Sequence, residues 1–114
     1  MRLERAAWNE QAAQFLRPAL GDDEAFIKSE VESGVSILWH VIGCGWVVTR
    51  LEDQELVFVA GVGKKAKEVI NIFMKNKQQL KFNSCRIHSA RVGMARYLKT
   101  LGFKEVERVY RVIK

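Results

Sequence analysis

The sequence predicts an α/β fold, with one mixed, mostly antiparallel sheet, a central parallel β-α-β unit and helices on both faces. Three observations carry that expectation. β-branched and aromatic runs at 35–42, 46–51 and Glu55–Ala60 are separated only by short turns, the pattern of an antiparallel meander. The hydrophobic period then changes from two to helical across 64–80. A further strand at 82–88, alternating Phe82, Ser84, Arg86 and His88 with Asn83, Cys85 and Ile87, follows that helix, so it lies parallel to Glu55–Ala60.

The elements follow in order. Ala7, Trp8, Ala12, Phe15 and Leu16 recur at helical spacing over 4–17, and Pro18 with Gly21 stops that helix. The pattern predicts no strand before it. Asp22, Asp23 and Glu24 suit the N-terminus of a second helix, with Phe26, Ile27 and Val31 inward and Gly34 as its end. Gly43-Cys44-Gly45 makes a tight hairpin and Glu52-Asp53-Gln54 a second turn. In the helix over 64–80, Ala66, Val69, Ile70, Phe73 and Leu80 mark one face and the lysines mostly the other. Ser89 suits an N-cap, a last helix spans 91–101 with Gly102 as its stop, and 104–113 closes the chain as a single strand whose free edge permits a homodimer.

Composition bounds the function. With 114 residues, 1–114 reads as a single domain large enough to bury a core unaided. No apolar run approaches the ~20 residues of a membrane helix, and residues 1–5 lack a signal-peptide core, so the sequence predicts a cytoplasmic protein. Cys44 and Cys85, without a CxxC spacing and with only two histidines, do not form a zinc site; reduced thiols are expected. The net charge of +6 is uneven: residues 1–62 hold 5 Lys/Arg and 10 Asp/Glu, whereas 63–114 hold 14 and 3. That basic half either attracts phosphates or forms a solvated lysine face. Nucleic acid is the less favoured partner, because Tyr97 is the one aromatic expected at the surface near Arg86, Arg91 and Arg96.

Gly61-Val62-Gly63 is the feature closest to chemistry. A glycine turn between a strand and a helix presents several backbone N–H groups together, which favours an anion; the alternative is a turn that needs positive φ. Leu98-Lys99-Thr100-Leu101-Gly102-Phe103 is the second feature. On these two motifs and the element order, residues 4–114 resemble the GCN5-related N-acetyltransferase (GNAT) superfamily, and in particular the short acetyltransferase-like proteins of tailed phages. The resemblance implies host cytoplasm or virion as the setting.

It also implies acetyl-CoA as cofactor, an amine as acceptor and direct attack in a ternary complex. By that resemblance, Val59, Ala60, Gly61, Val62, Gly63, Lys64, Lys65 and Arg91 bind the cofactor, and a backbone N–H within 57–60 polarises the thioester carbonyl. Amine acetylation needs a base and an acid. Glu55, at the start of the central strand, and His88, which titrates near neutrality, are candidate bases; His40 reads instead as a core or sheet-surface residue, and Cys85 as core. Tyr97 is the candidate acid, one residue and about 100° of helix from Leu98, where the family often has tyrosine. The chain also departs from the family pattern at Phe58, Arg91 and Met94. These departures suit the alternative function, a non-catalytic copy of the fold that binds a protein partner.

Overall fold

A computed structural model describes residues 2–61, 66–88, 104–106 and 109–112, with side chains at 2–61 and 67–87. Seven strands form one sheet: β1 (Arg2–Ala6), β2 (Ser36–Ile42), β3 (Gly45–Glu52), β4 (Glu55–Ala60), β5 (Ser84–His88), β6 (Lys104–Val106) and β7 (Val109–Val112). Their order is β1-β2-β3-β4-β5-β7-β6, and among the described residues β4–β5 is the one parallel pair. The helices are α1 (Glu10–Leu20), α2 (Glu24–Ser33), α3 (Ala66–Lys75) and a short α4 (Lys77–Leu80). The mixed sheet, the central parallel unit and helices on both faces are those the sequence predicts.

The chain starts differently from the expectation. Residues 2–6 are not helical; they pair antiparallel with β2, Arg2 opposite Ile42 and Ala6 opposite Leu38. The strand is short and charged, as suits a sheet edge, and its single period shows only against β2. The first helix therefore begins at Glu10, where the Asn9 side-chain oxygen caps it by accepting from the Ala12 N–H at 2.9 Å. It also runs through Pro18 to Leu20. The proline costs one helical hydrogen bond, but the buried Leu16 and Leu20 on either side anchor the last turn in the core. Gly21 ends it as expected.

Two cores sit on opposite faces. Ala12, Leu16, Leu20 and Ile27 from α1 and α2 pack on Leu38 and Val48. Val69, Ile70 and Phe73 from α3 pack on Trp39, Val41, Val47, Leu56, Phe58, Cys85 and Ile87. The alternation of Leu38 with Trp39 and Val41, and of Val48 with Val47, is the period of two that sends successive side chains to opposite faces. Phe73 is fully buried and meets Trp39 and Phe58 edge-on, at ring separations of 5.7 and 5.2 Å.

Trp39 donates its indole N–H to Thr49 Oγ at 2.8 Å inside this core. Thr49→Val keeps the shape and strands the donor, so it should cost about 1–3 kcal/mol, read from urea unfolding. An unchanged midpoint would mean that the indole N–H reaches another acceptor.

The turn after β3 has Asp53 at φ 49° and Gln54 at φ 70°. Two successive left-handed residues make the primed hairpin turn that matches strand twist. The Gln54 carbonyl accepts from the N–H of Asn83 at 2.9 Å, and its side-chain oxygen from the Asn83 amide at 2.8 Å. The turn thereby anchors the start of β5 beside the start of β4. The long helix expected over 64–80 is broken at Asn76, and 104–113 is not one strand but the antiparallel pair β6–β7, with β7 inserted beside β5 and β6 on the edge. The expected last helix over 91–101, its Ser89 cap and its Gly102 stop lie outside the described residues.

Candidate functional site

The carboxyl ends of β4 and β5 are where this fold leaves backbone available. The parallel ladder runs from Glu55 opposite Ser84 to Phe58 opposite Ile87. Beyond that rung the two strands pair outward, Ala60 with Val48 of β3 and His88 with Val109 of β7. A crevice outside the carboxyl ends of parallel strands is the usual ligand position in such sheets.

The β3–β4 register also shifts here: Thr49 faces Phe58, but Val48 faces Ala60. Val59 is therefore the extra residue of a β-bulge. Such a residue stands outside the ladder and re-aims the chain next to it. Val59 and Ala60 lean on the α1 core.

Gly61 ends the strand at φ 89°. A Cβ there would strike Leu16 of α1 and stand 2.7 Å from the Trp46 carbonyl oxygen. Both the positive φ and the missing space require glycine. The positive-φ reading of this turn is thus established for Gly61 itself. Val62, Gly63, Lys64, Lys65, Arg91 and Tyr97 lie outside the described residues.

Among the sequence candidates, the structure brings together Val59, Ala60 and Gly61, with the backbone of His88 one rung beyond the last β4–β5 pair. It sets Glu55 apart. Four residues of extended chain, about 13 Å at 3.3 Å per residue, separate Glu55 from Val59. Nor is Glu55 a solvated turn residue: its side chain is 15% exposed and lies 3.6 Å from Arg86 Nη1. His40 is a sheet-surface residue, stacked on Trp46 at 4.2 Å on the α1 side. Cys85 is fully buried, and burial with the nearby Glu55 charge pushes its thiol up to about 12. It stays protonated at neutral pH, so it is no nucleophile.

Arg86, which the sequence groups with Arg91 and Arg96, has its ion-pair partners on β3 and β4; Arg91 and Arg96 lie outside the described residues. Arg86 belongs to an alternating charge chain that runs from α2 across three strands: Glu30 to Arg50 at 3.2 Å, Arg50 to Glu52 at 2.6 Å, Glu52 to Arg86 at 3.0 Å, then Glu55. This chain ties α2 to the amino ends of β4 and β5. Its members are 20 and 34 residues apart in sequence, so no local pattern signals it.

The hydrogen bond from Arg50, with the charges of Arg50 and Arg86, holds the Glu52 carboxyl below its ordinary 4.5 despite partial desolvation. A lowered folded pKa adds stability that is complete above the ordinary carboxylate range and is lost as pH falls through the folded value. Arg50→Gln should therefore lose about 1 kcal/mol at pH 7, and the gap to the parent should close in acid. A gap in thermal melts that stays constant as the pH falls through and below the carboxylate range would refute the assignment.

No protein-family model matches the chain, and no curated protein matches its sequence. Its fold does have counterparts. A Bacillus subtilis acetyltransferase, solved in complex with CoA, superposes with a TM-score of 0.69 over 96% of this chain and 95% of its own, at 13% identity. This is the GCN5-related N-acetyltransferase fold. An acetyltransferase from Streptococcus agalactiae 2603 shares it with a TM-score of 0.65, 12% identity and coverage of 99% and 98%. The ribosomal-protein-S18-alanine N-acetyltransferase of Escherichia coli gives 0.60 at 10% identity, over 92% of this chain and 79% of that one. In this GNAT fold the bulged β4 and the divergent β4–β5 pair lie at the centre of the sheet. Among the described residues no helix is long and apolar enough to cross a membrane.

Proposed function

We propose that the chain binds acetyl-CoA at the carboxyl ends of β4 and β5 and transfers the acetyl group to an amine. The observation that carries this reading is the bulge at Val59, set between the outward-pairing strands and the left-handed Gly61. Backbone that has left its ladder, next to a glycine turn, fits an extended ligand with an anionic end. The fold counterpart solved with CoA supports the same reading.

Bound acetyl-CoA supplies an acetyl group activated as a thioester. The chain's own groups do the rest. The backbone of 59–60, beyond the last β4–β5 rung, hydrogen-bonds the cofactor's arm, and Val59 offers its N–H to the acyl oxygen, where negative charge grows as the amine attacks. The N–H groups of Gly61, Val62, Gly63, Lys64 and Lys65 hold the pyrophosphate, with the charges of both lysines and Arg91 in support. His88, at the end of β5, accepts the proton shed by the amine. Tyr97 donates a proton to the departing sulfur. Glu55, in its ion pair at the other end of β4, is the less suited base.

Calorimetric titration with acetyl-CoA and with CoA tests the reading. The expected result is micromolar binding that Gly63→Glu abolishes in a folded protein. Absence of binding at millimolar cofactor would overturn it. If binding holds, His88→Ala should lower the turnover number about 10²-fold or more with the CoA affinity unchanged, and should remove the acidic limb of the pH–rate profile. A retained limb would assign the base elsewhere.

A further inference from the structure

We propose that the α3–α4 face carries a second binding site, independent of the cofactor site, for a small carboxylate with an apolar body. Two cavities open on this face, of about 230 and 360 Å³, and they share Trp39, Gln79 and Leu80 as lining. The smaller is walled by Ile37, Leu51 and Leu56, with Arg5 at its side; the larger continues past Leu3 and Ile72 to Arg2 and Asn76. The larger falls at the lower end of the size usual for small-molecule sites and has a mixed lining, whereas the smaller is mostly apolar with a few polar groups. Both lie towards β1 and the amino end of β4, at the opposite end of that strand from Gly61.

Two features give the site its chemistry. The first is an apolar floor with no unmet donor. The indole N–H of Trp39 is already given to Thr49, and Leu51 is left 45% exposed at the opening. The second is charge. No carboxylate lines either cavity among the described residues. Arg2 is held by Glu4 at 2.9 Å, whereas Arg5 has no ion-pair partner among the described residues. Arg5 stands opposite Trp39 in the β1–β2 register. Two residues from Leu3 on the strand, it shares the α3 side with Leu3, which packs against the α3 core. One available guanidinium beside a hydrocarbon wall is complementary to one carboxylate on an apolar chain, which the guanidinium fork can bind through two hydrogen bonds.

Octanoate is the probe, and octan-1-ol the same chain without the charge. The readout is the Trp39 indole N–H resonance in ¹⁵N-edited NMR, assigned by its disappearance in Trp39→Phe. The expected result is a saturable shift with octanoate, weakened about tenfold in Arg5→Gln, and a weaker shift with octan-1-ol. Arg5 is exposed on an edge strand, so the variant should fold as the parent does. The proposal is overturned by no saturable shift, by equal affinity in Arg5→Gln, or by octan-1-ol binding as tightly as octanoate.

Discussion

Gly61→Val should destabilise the protein by about 3–4 kcal/mol, the sum of a β-branched residue forced to positive φ and of overpacking. The side chain would have to enter the space between Leu16 and the Trp46 carbonyl oxygen. Leu16 can yield, but the carbonyl belongs to β3 and cannot move without disturbing the sheet. Urea unfolding followed by far-UV circular dichroism gives the loss directly. Adding Leu16→Ala should recover part of it, because one of the two clashes disappears; that coupling is the signature of the proposed contact. A Gly61→Val protein as stable as the parent would mean that the turn adopts another conformation. This geometry makes Gly61 a poor position for testing cofactor binding, because a Gly61 variant confounds lost binding with lost folding.

Phe73→Ala is the second large effect, with an expected loss of about 4 kcal/mol. Phe73 is fully buried at the centre of the α3 face and touches two aromatic rings edge-on. Removing it takes away transferred area and both ring contacts and leaves a cavity under β4, immediately before the bulge. Phe73→Leu should keep most of the stability, since it retains apolar volume. If the alanine variant unfolded at the parent's denaturant concentration, α3 would not pack on this sheet as described. Because Phe58 shares the contact, the alanine variant should also weaken CoA binding by loosening the strand that holds Val59.

Much of this architecture is legible in the chain itself. The runs at β2, β3 and β4 are rich in β-branched and aromatic residues, and the boundaries of β4, Glu55–Ala60, are those read from the sequence. The change of period after Gly61 identifies α3, and the inward set Val69, Ile70 and Phe73 is buried. These elements announce themselves because their side chains meet a core on a fixed local period.

The candidate site was legible only as a glycine turn after a strand. The bulge at Val59 is a mismatch between two strands, so β4 alone cannot display it. The separation of Glu55 from Val59 follows from extended geometry. The role of Glu55 as an ion-pair partner depends on Arg86, which lies 31 positions later in the sequence.

By itself, then, the sequence determined the order and type of most elements, the two buried faces and the presence of a glycine turn after β4, since all of these rest on local conformational preference and hydrophobic period. Tertiary structure alone decided the rest. β1 is a strand because β2 offers it an edge, although its own residues are short-range and charged. The closing segment folds back as β6–β7 because β7 pairs with β5. Glu30, Arg50, Glu52 and Arg86 form one charge chain because α2 packed on the sheet and adjacent strands bring together residues distant in the sequence. Pairing between distant segments is set by which partner is present in space, and no local pattern records it.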